Sequence, residues 1–366
     1  MLIFRGLYNN LMTKIGHILG GWSVNIGNAF FQLAGYKVLR ELFPQDEISL
    51  IPEQPGYPSY WNRRGGNPAH HFDYVNTLKP DYLVLMGPVF RREMFSIWGD
   101  SLERLIRSGT KLVLLGVGAM TYDEDDIQLY RSFLARFCPT LMVTRDSDTF
   151  NLLGDLAEHA LDGIDFAFFL SDYYPVHAID ALVNAIALNF DKIPEPEITI
   201  ISNSTAQQST FEFAGDRWQV KSPRFRSWLA RSSRYGMFLE GVLFAGNNLE
   251  KIGKYDVVRL DHRPHPMVRS KTYRSPGMMV NDTPYPYLDI YGNAALTLTD
   301  RVHAAVAALQ YDKPAMLFSA SPRVRLLARL GLEGIVNQPV WLDRAPLKAE
   351  KEKIKAFIKQ GLDYTH

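Results

Sequence analysis

A single cysteine, Cys138, in 366 residues rules out an intrachain disulfide and any cysteine-based structural zinc site. A reducing compartment, the cytoplasm, suits such a chain. Excess charge of either sign is also missing: 40 Lys and Arg stand against 39 Asp and Glu, leaving +1. With no net field to gather a polyanion, nucleic acid is not an expected partner. Long apolar runs are absent too. The densest, at residues 82–86 and 166–170, are strand-sized and far short of the roughly 18 residues of a membrane span. Residues 1–20 are apolar and weakly basic but broken by Arg5, Asn9, Asn10, Lys14 and His17, with no clean small-residue cleavage site, so they do not read as a signal peptide. They read as a packed N-terminal helix. The alternative is an amphipathic surface helix, which would allow peripheral contact with the inner face of a membrane. No fixed-period repeat and no low-complexity tract occur.

What is present is ordinary globular composition, 46% hydrophobic and 22% charged, in a length that suits two domains. Short apolar runs alternate with helix-period stretches, the pattern of parallel sheets with crossover helices. The clearest unit is a buried strand at 82–86, a helix over 95–108 closed by Gly109, and a strand at 111–115. The alternation continues through a helix at 126–137, a strand at 141–144 and a helix at 148–156. It weakens past Tyr173, which places a boundary near Tyr174. Residues 202–223, rich in Ser, Thr and Gln, read as a long loop or irregular hairpin. Beyond them come a helical stretch at 225–243, strands at 255–260, 295–299 and 315–318, and helices at 301–309 and 323–330. The division predicted is 1–174, 175–345 and a Lys-rich C-terminal helix, 346–366, packing back across both.

Open α/β sheets bind ligands beyond the carboxyl ends of their strands. One strand end stands out. Residues 296–299 lead into Asp300-Arg301-Val302-His303 and an Ala-rich helix with Val302, Ala305, Val306 and Leu309 on one face. With Thr299 or Asp300 as N-cap, Arg301 and His303 fall in the first helical turn, a guanidinium and an imidazole beside free N–H groups. That makes an anion site with a proton donor attached. The plain structural alternative is an Arg301–Asp300 ion pair with His303 packed against a neighbour. Arg323, at a Ser-Pro helix start, is a second phosphate contact or a solvated first-turn charge. Residues 52–66 hold Trp61, Arg63 and Arg64 among Gly and Pro, a composition able to stack on sugar faces or simply to cover the core. His70-His71 and the cluster from Asp261 to His265 lack metal-ligand spacing, so no metal is expected. Gly116-Val117-Gly118 lacks the third glycine of a dinucleotide fingerprint, and no cofactor is expected.

The run from Leu296 to Ala304, followed by Lys313-Pro314-Ala315, resembles the C-terminal signature of the polysaccharide pyruvyl transferase family. Asn25-Ile26-Gly27-Asn28, Gly116-Val117-Gly118, Thr144-Arg145-Asp146 and Asp165-Phe166-Ala167-Phe168 resemble further family elements in the same order. The chain departs from the pattern at Met86-Gly87-Pro88, where a glycine cluster is usual, and at Asn28, where an acid is common. Both departures fall in the acceptor half. The resemblance implies an α/β protein of two Rossmann-like domains facing a cleft, a GT-B-like glycosyltransferase architecture. It implies transfer of a pyruvyl group from phosphoenolpyruvate to a sugar of a glycan or lipid-linked saccharide, making a ketal. Arg145 and Arg301 would then hold the donor with Arg323, His303 would move the proton, and Asn25, Trp61, Arg63 and Arg64 would face the acceptor. A nucleotide-sugar-dependent glycosyltransferase, or a noncatalytic carbohydrate-assembly protein, is the competing reading on the same fold.

Overall fold

The computed structural model describes residues 12–22, 24–52, 74–201, 209–233, 235–263, 270–319 and 322–362. In chain order the first half holds β1 (Lys14–Leu19), α1 (Gly27–Leu42), β2 (Glu47–Pro52), α2 (Tyr74–Leu78), β3 (Tyr82–Met86), α3 (Met94–Arg107), β4 (Lys111–Val117), α4 (Glu124–Phe137), β5 (Leu141–Thr144), α5 (Ser147–Leu153), β6 (His159–Asp162) and α6 (Leu170–Tyr173). The second half holds β7 (Ala185–Asn189), β8 (Glu197–Ile201), β9 (Ser209–Phe213), β10 (Asp216–Lys221), α7 (Arg224–Ser232), α8 (Gly236–Phe244), β11 (Lys251–Ile252), β12 (Tyr255–Leu260), α9 (Ser270–Arg274), β13 (Met278–Met279), α10 (Tyr285–Asn293), β14 (Leu296–Thr299), α11 (Val302–Gln310), β15 (Ala315–Leu317) and α12 (Arg344–Leu362).

Strands β2-β1-β3-β4-β5-β6 form one parallel sheet. Helices cover both its faces, so β3 and β4 read as continuous apolar runs rather than alternations. α3 packs through Ile97, Trp98, Leu102 and Leu105, and Gly109, at φ 99°, takes the left-handed turn that ends it. The second sheet runs β11-β12-β7-β14-β15, parallel except for the antiparallel edge strand β11, with the short β13 paired to β12. Between the sheets lies one apolar cluster, shared by α1 (Phe30, Phe31, Ala34), residues 166–170 and α11. Every residue of α11 is buried, so the helix is enclosed on all sides rather than on one stripe, and its alanines allow the close approach. α12 turns Leu347, Ile354 and Ile358 into the same cluster and touches β5, β6 and α1.

Three local expectations change, and one is narrowed to its second alternative, the hairpin within 202–223. Lys14–Leu19, expected as part of a helix, is a strand between β2 and β3, while residues 1–11 lie outside the described residues. His17 breaks the apolar run yet is fully buried, because its Nε2–H donates to the Gln32 carbonyl on α1 at 3.0 Å. Within 202–223, β9 and β10 form a hairpin that pairs with β8. Ala214 and Gly215, both at positive φ, make the two-residue turn, and Trp218 stacks on Phe211 at 5.8 Å. The helical stretch at 225–243 is two helices. Gly236 starts the second against the Leu229 carbonyl, where a Cβ would sit 2.2 Å from the oxygen. Residues 322–330 form a 3₁₀ helix.

Candidate functional site

Three parallel strands of the second sheet, β7, β12 and β14, end in polar residues that bind one another. After β7, the Asn189 amide donates to the Leu260 carbonyl at 2.8 Å and to Asp191 Oδ2 at 3.2 Å. After β14, Thr299 Oγ1 donates to Asn189 Oδ1 and accepts from the Arg301 N–H. Asp300 caps no helix. Its Oδ2 accepts the backbone N–H groups of Lys192 (2.6 Å) and Ile193 (3.0 Å), lashing the β7 loop to the β14 loop. Arg301, in extended conformation, therefore occupies the N-cap position of α11, and His303 is the second helical residue.

That geometry sends the two side chains apart. Arg301 Nε meets Asp191 Oδ2 at 3.1 Å and Asp300 Oδ1 only at 4.0 Å, so the expected Asp300 pairing gives way to Asp191. Burial works against the Asp191 charge, but Lys271 and Arg301 hold its carboxyl well below the usual range. Arg301 Nη2 is buried with no hydrogen-bond partner among the described residues. His303 turns to the other half of the molecule, where its Nε2 lies 3.3 Å from Asp165 Oδ2. The same oxygen takes Arg145 Nη1 at 3.3 Å, and the second carboxylate oxygen accepts the Ala167 N–H at 2.9 Å. Asp165 is fully buried; although burial opposes its charge, His303 and Arg145 keep it below the usual carboxylate range. Burial in turn lowers His303, against the pull of Asp165. With Nε2–H donated to the carboxylate, Nδ1 carries the lone pair.

Glycines bring these groups together. Arg145 follows β5 directly, and its side chain passes Gly118, where a Cβ would stand 2.4 Å from Nε. Gly27, opening α1, sits where a Cβ would meet His303 Cβ at 3.2 Å and His262 Nδ1 at 3.4 Å. The first turn of α1 thus abuts both histidines. His262 is held by Tyr291 Oη (2.6 Å), and burial depresses it to about 3, so it stays neutral.

Asn25, Lys192, His262, Arg301, His303, Ser319 and Arg323 line one narrow, partly open pocket of about 20 Å³, room for about one water. Its walls are cationic. Lys192 is lowered to about 8 by burial and then by Arg301 and Arg323. Arg323 is lowered to about 10 by burial and then by Arg145 and Arg301. Such mutual depression marks positive charges gathered closer than water would allow, and a bound anion would relieve it.

Of the residues singled out in the sequence, Asn25, Arg301, His303 and Arg323 line the pocket and Arg145 reaches it through Asp165. Trp61, Arg63 and Arg64, like His70 and His71, lie outside the described residues. The sequence reading names neither Asp191, Lys192 nor His262 as site residues and gives Asp165 no role, although each stands two or three residues beyond a strand. Among the described residues no group of three metal-ligating side chains occurs.

A family model described as polysaccharide pyruvyl transferase matches residues 25–322. No curated protein sequence matches the chain. Among solved structures, MnaA of S. aureus in a UDP co-structure aligns at TM-score 0.51 and 14% identity, covering 96% of this chain and 90% of that one. UDP-GlcNAc 2-epimerase from Neisseria meningitidis, bound to UDP-GlcNAc, aligns at 0.49 and 10% identity over 95% and 93%. The Methanocaldococcus jannaschii enzyme, with UDP-GlcNAc and UDP, aligns at 0.49 and 12% over 96% and 94%. At such identity the first likeness establishes the fold: two Rossmann-like units of GT-B-like architecture.

Proposed function

The chain belongs to the polysaccharide pyruvyl transferase family, and from that premise we propose that it moves a pyruvyl group from phosphoenolpyruvate onto a sugar of a glycan or lipid-linked saccharide. The observation that carries this reading is the buried Arg301 Nη2, without a hydrogen-bond partner among the described residues, in a pocket whose walls include Lys192, Arg323 and His303. Planar guanidinium groups grip oxyanions in pairs, which suits a small donor bearing both a phosphate and a carboxylate.

The chemistry assigns the remaining roles. His303, protonated at Nδ1, gives that proton to the donor's methylene carbon. Positive charge develops at the adjacent carbon, and a sugar hydroxyl adds there and loses its proton. The carbon–oxygen bond to phosphate then breaks, phosphate leaves, and a second hydroxyl closes the ketal. Burial keeps His303 neutral in the free protein. Donor anions beside it favour the imidazolium, so donor binding itself arms the acid. Asp165 fixes the tautomer and supports the charge, while Arg145 keeps Asp165 ionised.

Thermal denaturation with each ligand tests the donor. Phosphoenolpyruvate should raise the melting temperature, and UDP- or GDP-sugars should not. A shift with nucleotide sugar alone would transfer the assignment to glycosyl transfer.

A further inference from the structure

The helix pair α7–α8 leaves its large apolar side chains in solvent. Phe225, Trp228, Tyr235, Phe238 and Leu243 are 62%, 63%, 66%, 55% and 57% exposed. The pair fully buries only Ala230 of α7 and Gly236, Glu240 and Gly241 of α8. Phe225 stacks on Trp228 at 5.8 Å and meets Phe244 edge-on at 6.1 Å, so these three rings form one cluster that joins α7 to α8. Single exposed apolar residues are ordinary, but a contiguous patch of this kind marks a contact surface.

Charge says what the contact is. Between Lys221 and Leu249 the sequence carries Lys221, Arg224, Arg226, Arg231 and Arg234 against Glu240 alone. Glu240 is buried and bound by Arg226 at 2.6 Å, so it offers no negative charge to solvent. Lys221, Arg224 and Arg231 are exposed, and exposed Arg274 of α9 joins them at the edge of α8, its Nη1 donating to the Val242 carbonyl. A second copy of the chain packed on this face by a two-fold axis would set arginines against arginines. Aromatic and aliphatic side chains rimmed by cations instead match the boundary between anionic headgroups and acyl chains.

We propose that α7–α8 seats the protein on an anionic lipid surface, with Phe225, Trp228, Phe238 and Leu243 entering the interface and Arg224, Arg231 and Arg274 meeting lipid phosphates. The placement bears on the site. A groove of about 610 Å³ is lined both by Ser227, Trp228 and Arg231 of α7 and by Ile193, Pro194 and Phe318. Ile193 and Phe318 adjoin Lys192 and Ser319, which line the cationic pocket. A saccharide carried on a membrane lipid would therefore arrive beside the groove that borders the pocket. Lipid binding itself needs neither donor nor turnover, so it stands or falls apart from the pyruvyl transfer.

Co-sedimentation of the full chain with vesicles of phosphatidylglycerol and phosphatidylcholine, beside vesicles of phosphatidylcholine alone, tests it. Light scattering of the same samples reports the oligomeric state. The protein should pellet with the anionic vesicles. The pairs Trp228→Ser with Phe238→Ser, and Arg224→Glu with Arg231→Glu, should each lower partitioning about tenfold or more while keeping the melting temperature, since all four side chains are exposed. Wild-type protein left in the supernatant, or variants that pellet as well as wild type, would overturn the proposal. A dimer that these substitutions dissociate, without vesicle binding, would assign the face to a second copy instead.

Discussion

Asp165→Asn isolates the junction on which the two halves meet. In the native protein one oxygen, Oδ2, takes both Arg145 Nη1 and His303 Nε2 at 3.3 Å, with no water-exposed surface to soften the loss of charge. Asparagine has nearly the same shape but one acceptor oxygen and an N–H₂ group. If the oxygen faces His303, Arg145 loses its counter-charge; if the N–H₂ faces His303, the imidazole must place its proton on Nδ1 and lose the lone pair that receives one. A buried hydrogen bond to a charged group is worth about 1.5–3 kcal/mol, so the melting temperature should fall. The larger effect is on turnover. Loss of a correctly armed acid reduces kcat by roughly 10²–10⁴. The sign of the pH effect follows from the same contact. Asp165 raises His303 against the dominant effect of burial. Removing it leaves burial, with Arg145 and Arg323 beside it, unopposed, so the protonated form retreats to lower pH and the alkaline limb of the kcat profile moves down. Phosphate release at saturating phosphoenolpyruvate and acceptor, followed between about pH 5 and 9 and read with a melting curve, separates the outcomes. A folded Asp165→Asn protein with native kcat and an unmoved alkaline limb would refute both the proton role of His303 and the support given it by Asp165.

The β3-α3-β4 unit was legible because both faces of its strands are buried, which writes continuous apolar runs into the sequence, and because Gly109 marks the helix end. β1 was not, since His17 is paid for by a helix carbonyl that no local pattern announces. The β9–β10 hairpin carried a period-two signal in Phe211, Phe213, Trp218 and Val220, masked by the polar residues around it. In the site, Arg301 and His303 stood out because they follow a strand and open a helix. Their partners did not. Asp191 lies 110 residues before Arg301 and Asp165 138 before His303, and only folding states which carboxylate each will meet. Even Lys192 and His262 follow the strand-end rule that found Arg301, applied to β7 and β12. The role of Gly118 is invisible in sequence, because it consists of the space Arg145 passes through.

Gly118→Ala should displace Arg145 from Asp165, at a cost of about 1–3 kcal/mol in stability, and lower kcat for phosphate release; a folded variant with native kcat would show that Arg145 does not act through Asp165. Arg301→Lys keeps the charge but loses the planar fork, so KM for the donor should rise with kcat little changed, and a selective fall in kcat would contradict a binding role. Turnover should survive EDTA, because the protein's own cations neutralise the donor; abolition by EDTA with recovery on magnesium or manganese would show otherwise. The last prediction concerns acid stability. His17 is fully buried, and burial lowers it from 6.5 to about 4, only partly opposed by its bond to the Gln32 carbonyl. Between those values the unfolded chain binds a proton that the folded chain refuses, so the contribution is complete above about pH 6.5 and drains away as the pH falls towards 4. At about 1.4 kcal/mol per unit, the depression amounts to about 3 kcal/mol. His17→Gln keeps an N–H able to reach the Gln32 carbonyl and cannot titrate. Its denaturant-unfolding stability should therefore fall less steeply than wild type between neutral pH and about pH 4. Parallel slopes for the two proteins would mean that His17 takes up its proton without unfolding β1 from α1.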